Sequence, residues 1–341
     1  MKIRQTKKLA VLLPTYNAAP YLKESIDSVL NQTFTDFDLF VYDDCSTDAT
    51  EEIISSYKDS RIFYIKNEKN IGVTKTLNKG LDYLLPHYKY VARMDADDWC
   101  FSERFEKQLY FMDENPEVIV CGTQGYWLKD MQQNPSEGWT YPVNSSYIKY
   151  YLLFGATFGH SSVVLRSQKM IEYNLRYDET KLSCQDWELW SRISKVGIMA
   201  NLSDFLMKYR ILENSNHRSL DKNNKHLEYR SRIISGYWEY FGCPFSEKEI
   251  YAFYFEEKKQ SKRIFMTNTA KLITAFNAVF YQSKSELSFQ DQGYFSYMLA
   301  RRILSYWKRS GVSRKNLFIW FFILNRIEFM SKVRLVKSII K

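Results

Sequence analysis

The chain has no CxxC pair. Its five cysteines (Cys45, Cys100, Cys121, Cys184 and Cys243) are odd in number and scattered. That argues against a disulfide framework and a zinc site, and it suits a reducing cytoplasm. No GxGxxG or Walker-type loop occurs, so a dinucleotide or P-loop reading lacks its phosphate cradle. The longest apolar run, Leu317 to Leu324 (LFIWFFIL), is too short to span a bilayer. The N-terminal stretch MKIRQTKKLAVLLPTYN is basic, but its apolar part stops at Pro14 after a strand's length, which makes a poor signal peptide. The expectation is a cytoplasmic protein, with peripheral attachment to the inner face of the cell membrane as an option. No internal repeat or low-complexity tract stands out.

What is present is an ordinary core-forming composition with one bias. Of 341 residues, 45% are hydrophobic and 26% charged, enough for one large domain or two ordinary ones. Aromatic residues reach 17%, and such side chains fill cores, line sugar sites or sit at membrane interfaces. The net charge of +9 is uneven: residues 230 to 341 carry 20 Lys and Arg against 8 Asp and Glu, while residues 1 to 229 carry 28 against 31.

The first part alternates strand and helix patterns. Leu9–Leu13, Phe37–Tyr42, Ile62–Ile65, Tyr88–Met94 and Val118–Gly122 read as strands. Tyr21–Asn31, Asp48–Tyr57, Val73–Leu85 and Ser102–Glu114 read as helices, the second opened by a capping box of Asp48 and Glu51. Such alternation predicts an α/β fold, a mostly parallel sheet with helices on both faces. Ligands bind such sheets beyond the carboxyl ends of the strands. Three polar clusters fall there: Pro14-Thr15-Tyr16-Asn17, Asp43-Asp44, and Asp95-Ala96-Asp97-Asp98. A soft boundary near Asp221 divides a domain of residues 1–221 from a helical, basic, aromatic region, 222–341.

The stretch ARMDADDWC places three carboxylates within four positions directly after a buried strand. They read either as solvated loop residues, with Asp95 capping a helix, or as a cation site. Position on the binding edge favours the second. Asp95-x-Asp97 can share one hard cation, and Mg²⁺ or Mn²⁺ is commonly held by one or two carboxylates plus substrate phosphates.

VLLPTYN, VYDDCSTD, VARMDADD and CQDWELW, in that order, resemble the inverting GT-A glycosyltransferases of family 2, over roughly residues 8 to 215. The family more often has Gly where Cys45 stands and Glu where Gln185 stands. The resemblance implies a GT-A fold, a nucleotide-sugar donor (a UDP-sugar), a divalent Mn²⁺ or Mg²⁺ and a carboxylate base. It implies that Pro14, Thr15, Tyr16 and Asn17 form the base pocket, with Tyr16 stacking. Asp44, with Asp43, would accept from the uracil imide. Asp95 would bind ribose or metal beside Ala96, and Asp97 would be the main metal ligand, with Asp98 unassigned. Asp186 would be the general base, with Glu188 behind it; the alternative for Asp186 is a helix N-cap. Trp187 and Trp190 would pack the core or offer a face to a sugar ring, with core packing favoured. Lys75 and His160 would lie near the donor phosphates, or be a solvated lysine and a structural histidine. His217, after the pair Tyr209-Arg210, would complete the metal shell or contact the diphosphate.

Two further readings stay open. The fold could belong to a catalytically inactive nucleotide-sugar-binding scaffold, or to a nucleotidyltransferase, although PTYNAAPYLKES is not a glycine-rich phosphate loop. In the basic region, RRILSYWKRSG and FIWFFILNRIEFMSKVRLVKSIIK suit an interfacial amphipathic helix on an anionic membrane, where lipid-linked or glycan acceptors reside. They equally suit a helical bundle or homodimer contact. No nucleic-acid motif appears.

Overall fold

The structure, a computed structural model, describes residues 7–129, 138–181, 183–212, 225–255 and 262–312. They form two compact units, one drawn from Met1–Ile148 and Ala156–Ser219, the other from Lys149–Gly155 and Leu220–Lys341.

In the first unit the early strands are parallel: β1 (Leu9–Thr15), β2 (Phe37–Asp43), β3 (Ile62–Lys66) and β4 (Tyr90–Arg93). Next comes β8 (Val164–Arg166), antiparallel both to β4 and to the long β6 (Val118–Lys129). The 14-residue β9 (Ile198–Ile211) runs parallel to β6 and carries the short β5 (Trp99–Cys100). The order is β3-β2-β1-β4-β8-β6-β9-β5, and β7 (Gly138–Trp139) pairs with β6.

Residues of β1 alternate between faces, and each face meets a helix. Leu9, Val11 and Leu13 pack with Leu22, Ile26 and Val29 of α1 (Ala19–Leu30). Leu12 faces α3 (Val73–Leu84) at Gly80, where a Cβ would lie 2.4 Å from the leucine side chain, so only glycine allows this close approach. Helices α2 (Thr50–Ser56) and α4 (Arg104–Glu114) complete the early alternation; α5 (Ser145–Tyr151), α6 (Ser167–Glu172) and α7 (Gln185–Val196) follow.

Two local expectations are corrected. The capping box does not form, because α2 begins after Ala49, which has no capping side chain. Asp48 instead accepts from the N–H groups of Thr50 at 3.1 Å and Ala19 at 3.0 Å, tying the starts of α2 and α1 together. The strand expected to stop at Gly122 continues to Lys129, because Gln124 to Lys129 find partners on β9, far along the chain.

The second unit is helical: α8 (Lys225–Tyr240), α9 (Glu247–Tyr254), α10 (Lys262–Ser283) and α11 (Phe289–Ser310). A Ser246–Glu249 capping box opens α9. The core is aromatic, with Trp238 on Phe276 at 4.8 Å and Phe154 on Phe276 at 5.4 Å between ring centroids. Tyr237 and Tyr254 donate to the carbonyls of Lys149 and Leu153, which holds Lys149–Gly155 in this unit. In RRILSYWKRSG, Ile303, Tyr306 and Trp307 are buried core residues. The stretch FIWFFILNRIEFMSKVRLVKSIIK lies outside the described residues. Among the described residues no helix is long and apolar enough to cross a membrane.

Candidate active site

β1 and β2 end side by side, with Pro14 opposite Tyr42 and Thr15 opposite Asp43. Pro14 and Thr15 are buried, whereas Tyr16 is 50% exposed. Asn17 takes a left-handed conformation (φ 49°), donates its N–H to Ser46 Oγ at 2.9 Å and accepts from the Thr47 N–H at 2.8 Å. Asp43 is fully buried and committed: Oδ1 accepts from the Ser46 N–H and hydroxyl, Oδ2 from the Tyr64 hydroxyl at 2.7 Å. Asp44 accepts from Asn67 (2.9 Å), the Ile71 N–H (2.8 Å) and the Gly72 N–H (2.8 Å). Three bonds leave this carboxylate one unused lone pair, on Oδ2. Between the two aspartates and Ser46 sits Cys45, at φ 68°, a left-handed position that glycine would occupy without strain. Gly72 (φ 88°) opens α3, and Lys75 lies exposed in its first turn.

The second cluster follows β4. Asp95 is held from two sides: Arg93 Nη2 donates to Oδ1 at 2.5 Å, and the Ser161 hydroxyl to Oδ2 at 2.5 Å. Burial alone would raise the Asp95 pKa, but Arg93, His160 and the Ser161 hydroxyl together outweigh it and the value falls. Asp98 is buried and contacts Ser161 Oγ through Oδ2, while Oδ1 accepts from the Arg210 N–H at 2.9 Å. Burial, then Asp97 and Asp95, push Asp98 well above its ordinary value. Asp97 differs. No hydrogen bond to its carboxylate comes from another described residue, and burial followed by the Asp95 charge lifts it to about 6. Its carbonyl accepts from Arg210 Nε at 2.9 Å, and Arg210 Nη2 continues to Glu24 at 2.5 Å. Ala96 is buried in the core cluster.

Asp186 lies in the first turn of α7, whose N-cap is Cys184 in a left-handed conformation (φ 57°), so the N-cap alternative for Asp186 is set aside. Glu188 is half-buried in a two-pronged pair with Arg192 (2.7 and 2.6 Å), which occupies both of its oxygens. Trp187 and Trp190 are buried. Two phenols link Asp186 to the cluster after β4. Tyr177 is raised by burial, and the fields of Asp186 and Asp95 raise it further against Arg93. Tyr209 is raised by burial and then by Asp98, Asp95, Asp97 and Asp186. Both rings therefore lie within the field of the base candidate and of the aspartate cluster. His160 Nε2 is 2.8 Å from the Tyr177 hydroxyl.

Arg93, Ser161 and Tyr177 were not singled out as site residues by sequence. Arg93 stands inside the motif VARMDADD and Ser161 directly follows His160, while Tyr177 carries no local signal. His217 lies outside the described residues. Among those described, no three His, Cys, Asp or Glu side chains converge into a closed metal cage.

A family model, Glycosyl transferase family 2, matches residues 10–174. An uncharacterized glycosyltransferase of Methanocaldococcus jannaschii is 34% identical over 65% of this chain and 77% of its own length. The amylovoran biosynthesis glycosyltransferase AmsE of Erwinia amylovora is 31% identical over 59% of this chain and 75% of its own. The putative teichuronic acid biosynthesis glycosyltransferase TuaG of Bacillus subtilis is 29% identical over 61% and 80%. Among solved structures, S. aureus TarS 1-349 in complex with UDP-GlcNAc superposes with a TM-score of 0.56 at 19% identity, covering 90% of this chain and 92% of that one. The fold is the expected GT-A arrangement with a helical C-terminal region. The chain belongs to glycosyl transferase family 2 and is a glycosyltransferase.

Proposed function

We propose that this enzyme is metal-dependent and inverting, and moves a sugar from a UDP-sugar to a hydroxyl of a glycan or lipid-linked acceptor in surface-polysaccharide synthesis. The observation that carries the reading is Asp97, a carboxylate to which no other described residue donates a hydrogen bond, beside Asp95, whose pKa is lowered. Like charges so placed fit a hard divalent cation, which takes its remaining oxygens from phosphate and water. Asp97 would hold Mn²⁺ or Mg²⁺, with Asp95, clamped on both oxygens, orienting the loop or touching ribose. The ion, when bound, neutralises charge on the departing diphosphate.

The protein's own part is positional and basic. Tyr16 offers an exposed ring to the nucleobase, and Asp44 Oδ2 retains a lone pair for an imide N–H. Lys75 and His160 stand as the candidates for phosphate contact. Asp186 takes the proton of the acceptor hydroxyl as that oxygen bonds to the sugar's anomeric carbon. The bond to the diphosphate breaks from the opposite face with its electron pair on the leaving oxygen, which inverts the centre. Glu188, paired with Arg192, is a poor substitute base. The UDP-GlcNAc complex of TarS and the polysaccharide-pathway names of AmsE and TuaG support the donor and acceptor classes. Residues 1–221 would be the transferase domain. Residues 222–341 would serve membrane association or dimerisation, and the buried aromatics of α11 favour a packed bundle for the part described.

A thermal-shift panel of nucleotide sugars with Mn²⁺ or Mg²⁺ tests this. A UDP-sugar should stabilise the protein only with the metal. No shift with any UDP-sugar and either ion would overturn the donor and metal assignments.

A further inference from the structure

A cavity of about 420 Å³ opens between α1 and β5, away from the exposed Tyr16 and the Asp44 loop. Its walls include Lys23, Glu24, Asp27, Asn31, Trp99 and Ser102. We infer that this cavity is a subsite for a neutral saccharide of the acceptor chain. The inference rests on the glycan-acceptor reading above.

Four observations point to that ligand. The volume is in the range of small-molecule sites. Trp99 supplies an aromatic wall. Lys208 lies over its ring at 4.1 Å and the Phe101 ring meets it edge-on at 4.6 Å between centroids; neither lines the cavity, which Trp99 borders with its remaining surface. Aromatic surface next to hydrogen-bonding groups suits a pyranose, which has apolar C–H patches and hydroxyl edges. The polar walls provide both donors and acceptors: Asn31 and Ser102 side chains without partners among the described residues, and the free oxygen of Glu24. The charges cancel. Asp27 is paired with Lys23 at 2.7 Å, and Glu24 with Arg210 at 2.5 Å, which favours a neutral occupant over an acidic one.

Two links tie the cavity walls to the carboxylate cluster. Trp99 directly follows Asp98, and Glu24 reaches the carbonyl of Asp97 through one guanidinium. A chain lying along α1 would end near the carboxylate cluster.

Saturation-transfer NMR on the full chain, with cellobiose, lactose, maltose and N,N′-diacetylchitobiose as probes at millimolar concentration, tests this. At least one probe should bind the wild type, and Trp99→Ala should weaken it about tenfold or more. Because Trp99 adjoins the carboxylates, Asn31→Trp gives a second test: it fills the cavity from an exposed position at the end of α1. It should weaken the same probe to a similar extent. Absence of binding by all four, or wild-type binding by Asn31→Trp, overturns the proposal. A missing UDP-sugar shift in the wild type would instead count against the donor reading and leave the saccharide result standing.

Discussion

The two ends of β1 and β4 handle negative charge in opposite ways. At the amino end, Asp113 accepts from Lys8 at 2.5 Å, Lys89 at 2.7 Å and the Tyr90 hydroxyl at 2.9 Å. Burial would raise its pKa, but those three bonds outweigh it and hold the carboxyl at about 2. Asp38 is likewise matched by Lys7 and Tyr88. At the carboxyl end of the same strands Asp97 is pushed up by burial and by Asp95, and Asp98 by burial, Asp97 and Asp95. Folding alone would favour the first arrangement everywhere. The end that leaves charge with fewer partners is the end that suits a ligand, as the proposed donor site requires.

Substitutions can break this contrast, beginning with the largest effect. Asp186→Asn should lower transfer by roughly 10²–10⁴-fold, with the melting temperature unchanged. Full turnover in that variant would remove the base assignment. Asp97→Asn should cost roughly 10²–10³-fold in rate and abolish stabilisation by Mn²⁺, read by thermal shift. At the other end, Asp113→Asn should leave catalysis intact and cost about 1–2 kcal/mol of stability at neutral pH, discounted for partial exposure. Its folded pKa of about 2 lies below the ordinary 3.8, so the contribution is present above that value and fades as pH falls through about 2. Urea unfolding of wild type and variant across that window should show the two curves converging. Glu188→Gln should have the smallest effect, about 0.5 kcal/mol from its helical pair with Arg192, with transfer retained.

Much of the binding edge was legible because local pattern encodes it. The strands from Leu9 to Arg93 end where apolar runs give way to Thr15, Asp43 and Met94-Asp95, and the helices between them carry their own periodicity. What could not be read was pairing at long range. β6 keeps its direction past Gly122 only because β9 lies beside it. Ser161 and Arg210 reach Asp98 from 63 and 112 residues away, and Tyr177 joins His160 through a fold no periodicity specifies. Asp48 fits a helix-start motif in sequence, yet its bond to Ala19 depends on two helices starting side by side. The affinity of Lys149–Gly155 for the helical unit is of the same kind.

The Ser161 contacts imply a count of protons. One hydroxyl has one hydrogen to give, yet its oxygen lies within bonding distance of both Asp95 and Asp98, and it also receives the Asp95 N–H at 3.2 Å. The second hydrogen has to come from one of the two carboxylates. Burial raises Asp98 while Asp95 is lowered with Arg93 beside it, so the directions of the two shifts place that hydrogen on Asp98, leaving Ser161 to donate to Asp95. The loop ARMDADDWC then carries a neutral acid at Asp98 and an anion at Asp95, with Asp97 left as the titrating member. A proton lost when the cation binds would come from Asp97, while the hydrogen stored at Asp98 fixes the frame around it.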